Sequence, residues 1–172
     1  FVNTNHEESR MMQTRNLFVL EDFAEAQIFE RHQAFNQGHV FSNSVTESSV
    51  GNQAHFKHFK LQNDLDSSSM VDSTFVKQGA NSSALVDTFA FSGELVRNNL
   101  HFEFTGMHAE AHMDAITLLK GKSLVDHHTF VDHAVPHCQS NQLYKGIYDE
   151  KSKGVFNGKV MVRKDAQKTN AF

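Results

Sequence analysis

An internal repeat of about 27–28 residues is the feature that most constrains the fold of this chain. Small residues and bulky apolar residues both recur at close to this spacing along the whole sequence. The small series is Ala26, Ala54, Ala84, Ala111, Cys138 and Ala166, and the bulky series is Phe18, Val45, Phe75, Phe102, Phe130 and Phe156. Because the two series keep step, they predict a stack of similar structural units.

The residues within each unit indicate strands. Apolar and polar residues alternate in short runs such as 100–104 and 156–162, which is the period of a β-strand. Turn-forming residues separate the runs, for example at Gly51, Gly79 and Gly106, and the segment 63–69 looks like an enlarged loop. Residues 20–35 come closest to a helical stripe, but the repeat favours a turn followed by a strand there.

A unit of this length accommodates two strands and their turns, and stacked units bring equivalent residues together in columns. The sequence therefore predicts an all-β, right-handed parallel β-helix of about six coils, with two main strands per coil and residues 1–172 forming a single core. We expect the alanine series to lie where the two sheets approach closely, and the phenylalanine series to form an interior aromatic stack.

Composition excludes several functional classes. A formal net charge of −4 gives no attraction to nucleic acid or to an anionic membrane, and no apolar run approaches the roughly 20 residues needed to span a bilayer. Residues 1–6 have neither the basic nor the apolar region of a signal peptide, and Cys138 is the single cysteine, so a reducing, cytoplasmic location is expected. The chain starts without methionine and neither end carries a cap, which indicates a partial chain without flanking helical domains.

The chain has 12 histidines, but their spacing does not predict a metal site. The pairs His108/His112 and His133/His137 have the i, i+4 spacing of helical zinc ligands. In a strand, residues at this spacing lie roughly 13 Å apart, so no metal ligand is predicted.

The run 127–133 has three interpretations. If Phe130 faces inward, His128 and Asp132 also do; if Val131 faces inward, His127 and His133 do. A buried polar group would then need hydrogen-bond partners. The third interpretation, a turn at this position, is preferred.

Cys138 also has two interpretations, because it adjoins His137 and belongs to the small-residue series. An activated thiol would be a nucleophile, whereas a buried cysteine acts as a compact apolar group, and the second is favoured. No phosphate-binding loop, G-x-S-x-G elbow or Cys-x-x-Cys pair occurs, so no catalytic or cofactor-binding residue is predicted.

The last third of the chain resembles a known family. The string 131–146 (VDHAVPHCQSNQLYKG) is similar to the core of the SufB/SufD family of the SUF iron–sulfur cluster assembly machinery. Residues 154–159 (GVFNGK) and 166–171 (AQKTNA) continue the likeness, and 15–17 and 28–32 extend it upstream. Pro136-x-Cys138-x-Ser140 and Tyr144-Lys145-Gly146 are more similar to the SufD branch than to the SufB branch.

The resemblance implies a parallel β-helix core that assembles with partners and is not itself an enzyme. It implies a SufB-like paralogue and a SufC-like ATPase as partners of the full-length protein, with an iron–sulfur cluster present transiently at the level of the complex. A homodimer through the β-helix is a further expectation. No cofactor is expected on this segment, because the family's cluster-associated Cys and His positions fall beyond Phe172.

Two other functions remain open from the sequence. A β-helix that cleaves polysaccharide needs clustered carboxylates, and Asp87, Asp114 and Asp126 are expected to be scattered. A purely structural solenoid needs no partner at all.

Overall fold

A computed structural model describes residues 2–3, 8–34, 38–64 and 66–172, and in this part of the chain every regular element is a β-strand. The strand bounds are β1 Val2–Asn3, β2 Arg10–Leu20, β3 Glu25–Ala34, β4 Val40–Val50, β5 His55–Gln62, β6 Ser69–Gln78, β7 Ser83–Ala90, β8 Leu95–Phe104, β9 Glu110–Leu119, β10 Leu124–His133, β11 Gln139–Tyr148, β12 Lys153–Val162 and β13 Asn170–Ala171. No helix that could cross a membrane occurs in the described residues.

The strands form two parallel sheets that alternate along the chain. The odd sheet has the order β1-β3-β5-β7-β9-β11-β13, and the even sheet has the order β12-β10-β8-β6-β4-β2. Each coil therefore contributes one strand to each sheet and stacks directly on the previous coil. This arrangement confirms the predicted all-β parallel solenoid with two main strands per coil.

The register shows that the coils are of unequal length. The paired residues Asn16 and Thr46 lie 30 positions apart in the sequence. Ser73 and Asn99 pair at a separation of 26. Farther along the even sheet, Asn98 pairs with a histidine at a separation of 29. The regular period read from the sequence is thus an average over coils that differ by several residues.

The solenoid has about five turns rather than the predicted six. Five coils contain two long strands each, from β2 and β3 to β10 and β11. The sixth repeat has the ten-residue β12, but its second strand, β13, has two residues. The sequence count was one too high because β12 by itself continues the repeat pattern.

The predicted phenylalanine stack is wrong. Phe102 is fully buried, but it pairs with Val76 and Val131, whereas Phe75 and Phe130 both flank His101 in the adjacent, outward-facing column. Phe75 is 44% exposed. Phe102 lies one position beyond the partner of Phe75, and a shift of one residue turns a strand side chain to the opposite face.

The small-residue series is buried except for the partly buried Ala26, but its members do not form one column. Ala26, Ala84 and Ala111 share one column, together with Phe56 and Ser140. Ala54 and Cys138 lie two positions upstream, just before their strands, and Ala166 lies in the turn after β12. A shift of two positions keeps the same face, so Ala54, Ala84, Ala111, Cys138 and Ala166 are all at most 1% exposed.

The turns from the even to the odd sheet repeat one backbone conformation. Each has a residue with positive φ two positions before the odd strand, as at Phe23, Gln53 and Asn81. His108 and His137 occupy the same position in later coils. Residues 20–34 form the end of β2, this turn and β3, as predicted, and Phe35 lies outside the described residues. The enlarged loop corresponds to the connection between β5 and β6, of which Leu65 lies outside the described residues.

The interior consists of a main apolar core, a polar part and a second, smaller apolar cluster of Met70, Ala90, Val96, Leu119 and Val125. Next to the repeated turns, the two sheets pack through a core that includes Phe56, Phe102, Phe104 and Met113, all at most 1% exposed. Deeper along the strands, inward positions carry polar side chains instead.

Candidate functional site

A set of buried polar side chains runs through several coils and is the most distinctive feature of the interior. We call it the polar file and define it as Glu30, His32, His58, Lys60, Gln62, Asp72, Asn98, Thr117 and His127. Each of these residues is at most 9% exposed. Both sheets contribute, because inward positions of β3, β5 and β9 face inward positions of β6, β8 and β10.

A buried ion pair lies at the centre of the file. Lys60 Nζ lies 2.5 Å from Asp72 Oδ2 and donates a hydrogen bond of 2.6 Å to Thr74 Oγ1. Gln62 Nε2 donates to Asp72 Oδ2 at 3.3 Å and to Asn98 Oδ1 at 2.7 Å. The pair therefore connects the two sheets across the interior, with the desolvated charges held by neutral hydrogen-bonding groups.

His127 continues the file into the next coil. Asn98 Nδ2 lies 3.4 Å from His127 Nδ1, and His127 Nε2 lies 3.1 Å from Thr117 Oγ1. Because Asn98 Nδ2 is a donor, Nδ1 accepts and Nε2 carries the proton. Burial lowers the pKa of His127 to about 4, against the opposing charge of Asp126, so the imidazole is neutral at pH 7.

A second group joins the file at its N-terminal end. Glu30 Oε1 lies 2.5 Å from His32 Nε2, and Glu30 Oε2 lies 2.9 Å from His58 Nε2. An ionised carboxylate only accepts, so both imidazoles donate from Nε2. Although burial raises the pKa of Glu30, the hydrogen bonds from the two histidines and the charge of Lys60 hold it well below its usual value.

The file leaves almost no free space. A cavity of about 10 Å³ for the centre of a water molecule is lined by Lys60, Asp72, Asn98, His127 and Tyr144, among others. That volume corresponds to about one water molecule. In the described residues, no group of three or more His, Cys, Asp or Glu side chains is arranged to hold a metal ion. The file therefore cross-links the sheets and leaves room for no larger ligand.

Acidification is expected to destabilise the protein partly through His127. An unfolded histidine has a pKa near 6.5, whereas the folded pKa of His127 is about 4, so the unfolded chain binds more protons between these values. The stabilisation that neutral His127 gives the folded state is complete above pH 6.5 and is lost as the pH falls towards 4. Between pH 6.5 and 5, the free energy of unfolding should fall by about 2 kcal/mol. Urea unfolding at pH 7 and 5 measures this loss.

His127→Gln supplies the matched variant, because glutamine can donate to Thr117 and accept from Asn98 without titrating. It is expected to remove about 2 kcal/mol of the pH dependence. His112→Gln, on an outward-facing side chain that is 38% exposed, is the control for the same substitution outside the interior. An equal pH dependence in the wild type and His127→Gln would contradict the assignment.

The run 127–133 is a strand, so the preferred interpretation as a turn is wrong. Val131 faces inward, and His127 and His133 face inward with it. His133 is fully buried, with Nε2 3.0 Å from Ser140 Oγ, and burial lowers its pKa.

The residues of β10 that alternate with these, including His128 and Asp132, lie on the other face of the strand. His128 Nε2 lies 2.9 Å from Asp126 Oδ1. Asp132 accepts two hydrogen bonds from the Arg163 guanidinium, at 2.9 and 2.6 Å, which hold the pKa of Asp132 below its usual value. The inward pair proposed for His128 and Asp132 is therefore also wrong.

The histidines of the two i, i+4 pairs lie in strand and turn segments, as predicted, with His112 on β9, His133 on β10, and His108 and His137 in turns. His108 and His137 instead stack on each other across neighbouring coils, with ring centroids 5.0 Å apart. Both occupy the positive-φ position of their turns. The resemblance string around His137 therefore spans the end of β10, a repeated turn and the start of β11.

Cys138 is fully buried in the apolar core, where its Sγ lies 3.4 Å from the carbonyl oxygen of Gly106. Burial raises the pKa of the thiol. Both properties oppose thiolate formation and agree with the interpretation of Cys138 as a compact apolar group.

Cys138 is expected to resist labelling in the native protein. At pH 8, a thiol-reactive disulfide reagent should modify it at least about 100-fold more slowly than in urea, because reaction requires local opening. The control is the protein unfolded in urea, in which the single thiol should react fully. Rapid stoichiometric labelling of the native protein would contradict the buried position.

The carboxylates are not all scattered. Asp87 and Asp114 occupy paired positions on β7 and β9, on the outer face of the odd sheet. Asp126 lies on the even sheet, where it forms an ion pair with Arg97. The expectation of three separate carboxylates is therefore wrong for Asp87 and Asp114, which are distant in the sequence and are brought together by the register.

Sequence reasoning missed most of the polar file. Glu30 and His32 lie in the stretch 28–32 that carries the resemblance, and no motif distinguishes Lys60, Gln62, Asp72 or Asn98. A usable signal was present, because polar and apolar residues alternate over residues 58–62 of β5. Alternation alone does not tell which set faces inward.

The fold and its interior define a class of protein: a parallel β-solenoid with a packed interior rather than a ligand-binding barrel. A family model described as the SUF system FeS cluster assembly, SufBD core domain, matches residues 1–172. The chain therefore belongs to the SufB/SufD family, and the resemblance seen in the sequence is confirmed.

The curated relatives agree with this membership. An iron-sulfur cluster assembly SufBD family protein of Synechocystis sp. is 32% identical over 169 residues, covering 94% of this chain and 37% of the relative. SufD of Escherichia coli is 26% identical, covering 98% of this chain and 38% of the relative. Protein ABCI7, chloroplastic, of Arabidopsis thaliana is 31% identical, covering 98% and 36%. The chain thus spans less than two fifths of these relatives' lengths.

Proposed function

We propose that this chain is the central scaffold of a SufD-like subunit, which acts in iron–sulfur cluster assembly by holding partner proteins rather than by catalysis. The observation that carries the proposal is the family match over the whole chain. The packed interior supports it, because the cavity within the polar file has room for about one water molecule and the outward faces remain available.

The proposed partners are a SufB-like paralogue and a SufC-like ATPase, bound by the whole protein in the cytoplasm. Stacked coils give a rigid surface, since each inner coil is held by continuous ladders to its neighbours on both sides. Rigidity of this kind suits a component that must keep two partners in a defined relative position.

Co-purification tests the proposal. The whole protein is co-expressed with its SufB-like and SufC-like partners, captured by a tag on one partner and analysed by size-exclusion chromatography. A stable complex containing all three is expected. Elution of the whole protein apart from both partners would refute the assembly role.

A nucleotide assay tests the non-catalytic part separately. The purified chain without partners is expected to hydrolyse ATP no faster than buffer, because its sequence contains no phosphate-binding loop. Turnover that persists through repeated purification would refute this part while leaving the assembly role open.

Polysaccharide cleavage is the second candidate, and the neighbouring carboxylates Asp87 and Asp114 favour it. Incubation with acidic and neutral polysaccharides, followed by reducing-end and unsaturated-product assays, is expected to give no cleavage. Cleavage that is lost in Asp114→Asn would favour this candidate over the scaffold.

A further inference from the structure

The outer face of the odd sheet carries an unusual combination of apolar and acidic side chains. We call it the acidic apolar face and define it as Phe59, Asp87, Phe89, Asp114, Ile116 and Leu143. Phe59, Asp87, Asp114 and Leu143 follow one another in a single column, and Phe89 and Ile116 lie beside the two carboxylates. All of these residues except Phe59 line a concavity of about 280 Å³, which Lys145 also lines.

Large apolar side chains on this face are exposed to solvent. Ile116 is 45% exposed and Leu143 is 53% exposed. Phe59 stacks on Phe29, which is 77% exposed, with ring centroids 4.9 Å apart. Contiguous apolar side chains around a concavity are typical of a protein interaction site.

The acidic pair at the centre forms no ion pair with any residue in the described part of the chain. Asp87 Oδ1 is buried without a hydrogen-bond partner there. Burial and the charge of Asp114 raise the pKa of Asp87, against the effect of His112. Like charges on directly paired strand positions are destabilising, so a cation placed here would relieve an existing cost.

We propose that the acidic apolar face binds an amphipathic helix of a partner protein, with an arginine or lysine of that helix seated on Asp87 and Asp114. Beneath the face, β5, β7 and β9 are paired on both sides, so an added strand has no free backbone groups to bind around Asp87 and Asp114. In the described part of the chain, the free strand edge beneath this face lies only along β11 after its short pairing with β13. A helix packs on a sheet face through side chains alone. This inference does not depend on the partners proposed above.

Charge argues against a second copy of this chain as the occupant. A two-fold dimer centred on the face would bring four carboxylates together with only two Lys145 side chains, which leaves an excess of negative charge, whereas a helix with one basic residue adds only positive charge to the face. Electrostatic complementarity of this kind selects partners by the cost of mismatched charges.

Designed peptides provide the test. Two fluorescein-labelled helical peptides of equal length share one leucine stripe and differ in one central residue of that stripe, arginine or glutamine. Fluorescence anisotropy with the purified protein is expected to show saturable binding of the arginine peptide, about 10-fold tighter than the glutamine peptide. The variant Asp87→Asn/Asp114→Asn should remove this preference.

Controls separate binding from folding. The double variant removes a like-charge contact, so its melting temperature should be at least that of the wild type. Glu103→Gln, on the even sheet, should leave peptide binding unchanged. Equal binding of both peptides, no saturable binding, or sedimentation showing a homodimer that Leu143→Glu dissociates would overturn the proposal.

Discussion

Replacing Phe102 by alanine is expected to lower the free energy of unfolding by about 3–5 kcal/mol. Phe102 is fully buried and packs between the two sheets with Val76 and Val131 as its neighbours in the column. Removing its ring leaves a cavity that the coils above and below cannot fill, since their backbones are fixed by ladders. Urea denaturation monitored by circular dichroism measures the change.

Phe75→Ala is the matched control, because Phe75 lies one coil away at the position that the repeat alone makes equivalent. It is 44% exposed on the outer face, so its loss should cost about 1 kcal/mol or less. Equal costs for the two substitutions would contradict the assignment of Phe102 to the interior and Phe75 to the surface.

Breaking the buried ion pair is expected to have a comparable effect. Lys60→Met leaves Asp72 as an uncompensated charge in the interior, at a cost of about 3–5 kcal/mol in the free energy of unfolding. Both side chains are at most 3% exposed, and their charged atoms lie 2.5 Å apart. The same denaturation measurement applies.

Removing both charges should reverse most of this loss. Lys60→Met/Asp72→Leu is expected to be more stable than Lys60→Met by about 2 kcal/mol or more, because no buried charge remains at this pair. Arg15→Met, which breaks the exposed pair with Glu47, should cost about 1 kcal/mol or less. A double variant as unstable as the single one would show that the pair contributes through packing rather than through charge.

The repeat could be predicted from the sequence because it depends on patterns among neighbouring residues. Alternation along runs such as 100–104 and turn formers such as Gly51 and Gly79 predicted strands separated by tight turns, and β8 and the repeated turns follow that pattern. The family resemblance could also be recognised from the sequence, because the string 131–146 is continuous along the chain.

Which residues share a column could not be predicted from the sequence, because the coils differ in length. Paired residues in neighbouring coils are separated by 30 positions near the start of the chain and by 26 farther on, so a constant count produces errors of one or two positions. An error of two left Ala54 and Cys138 in the interior, whereas an error of one placed the outward-facing Phe75 in the same series as the buried Phe102.

The sequence by itself determined the solenoid, its two strands per coil and its family, because period-two alternation and a continuous motif are properties of neighbouring residues. Tertiary structure alone decided which polar residues are buried together. Lys60 meets Asp72, and Asp87 meets Asp114, only through the alignment of separate coils and sheets. That alignment is set by the lengths of the turns and by packing across the interior, neither of which is encoded in the spacing within a single strand.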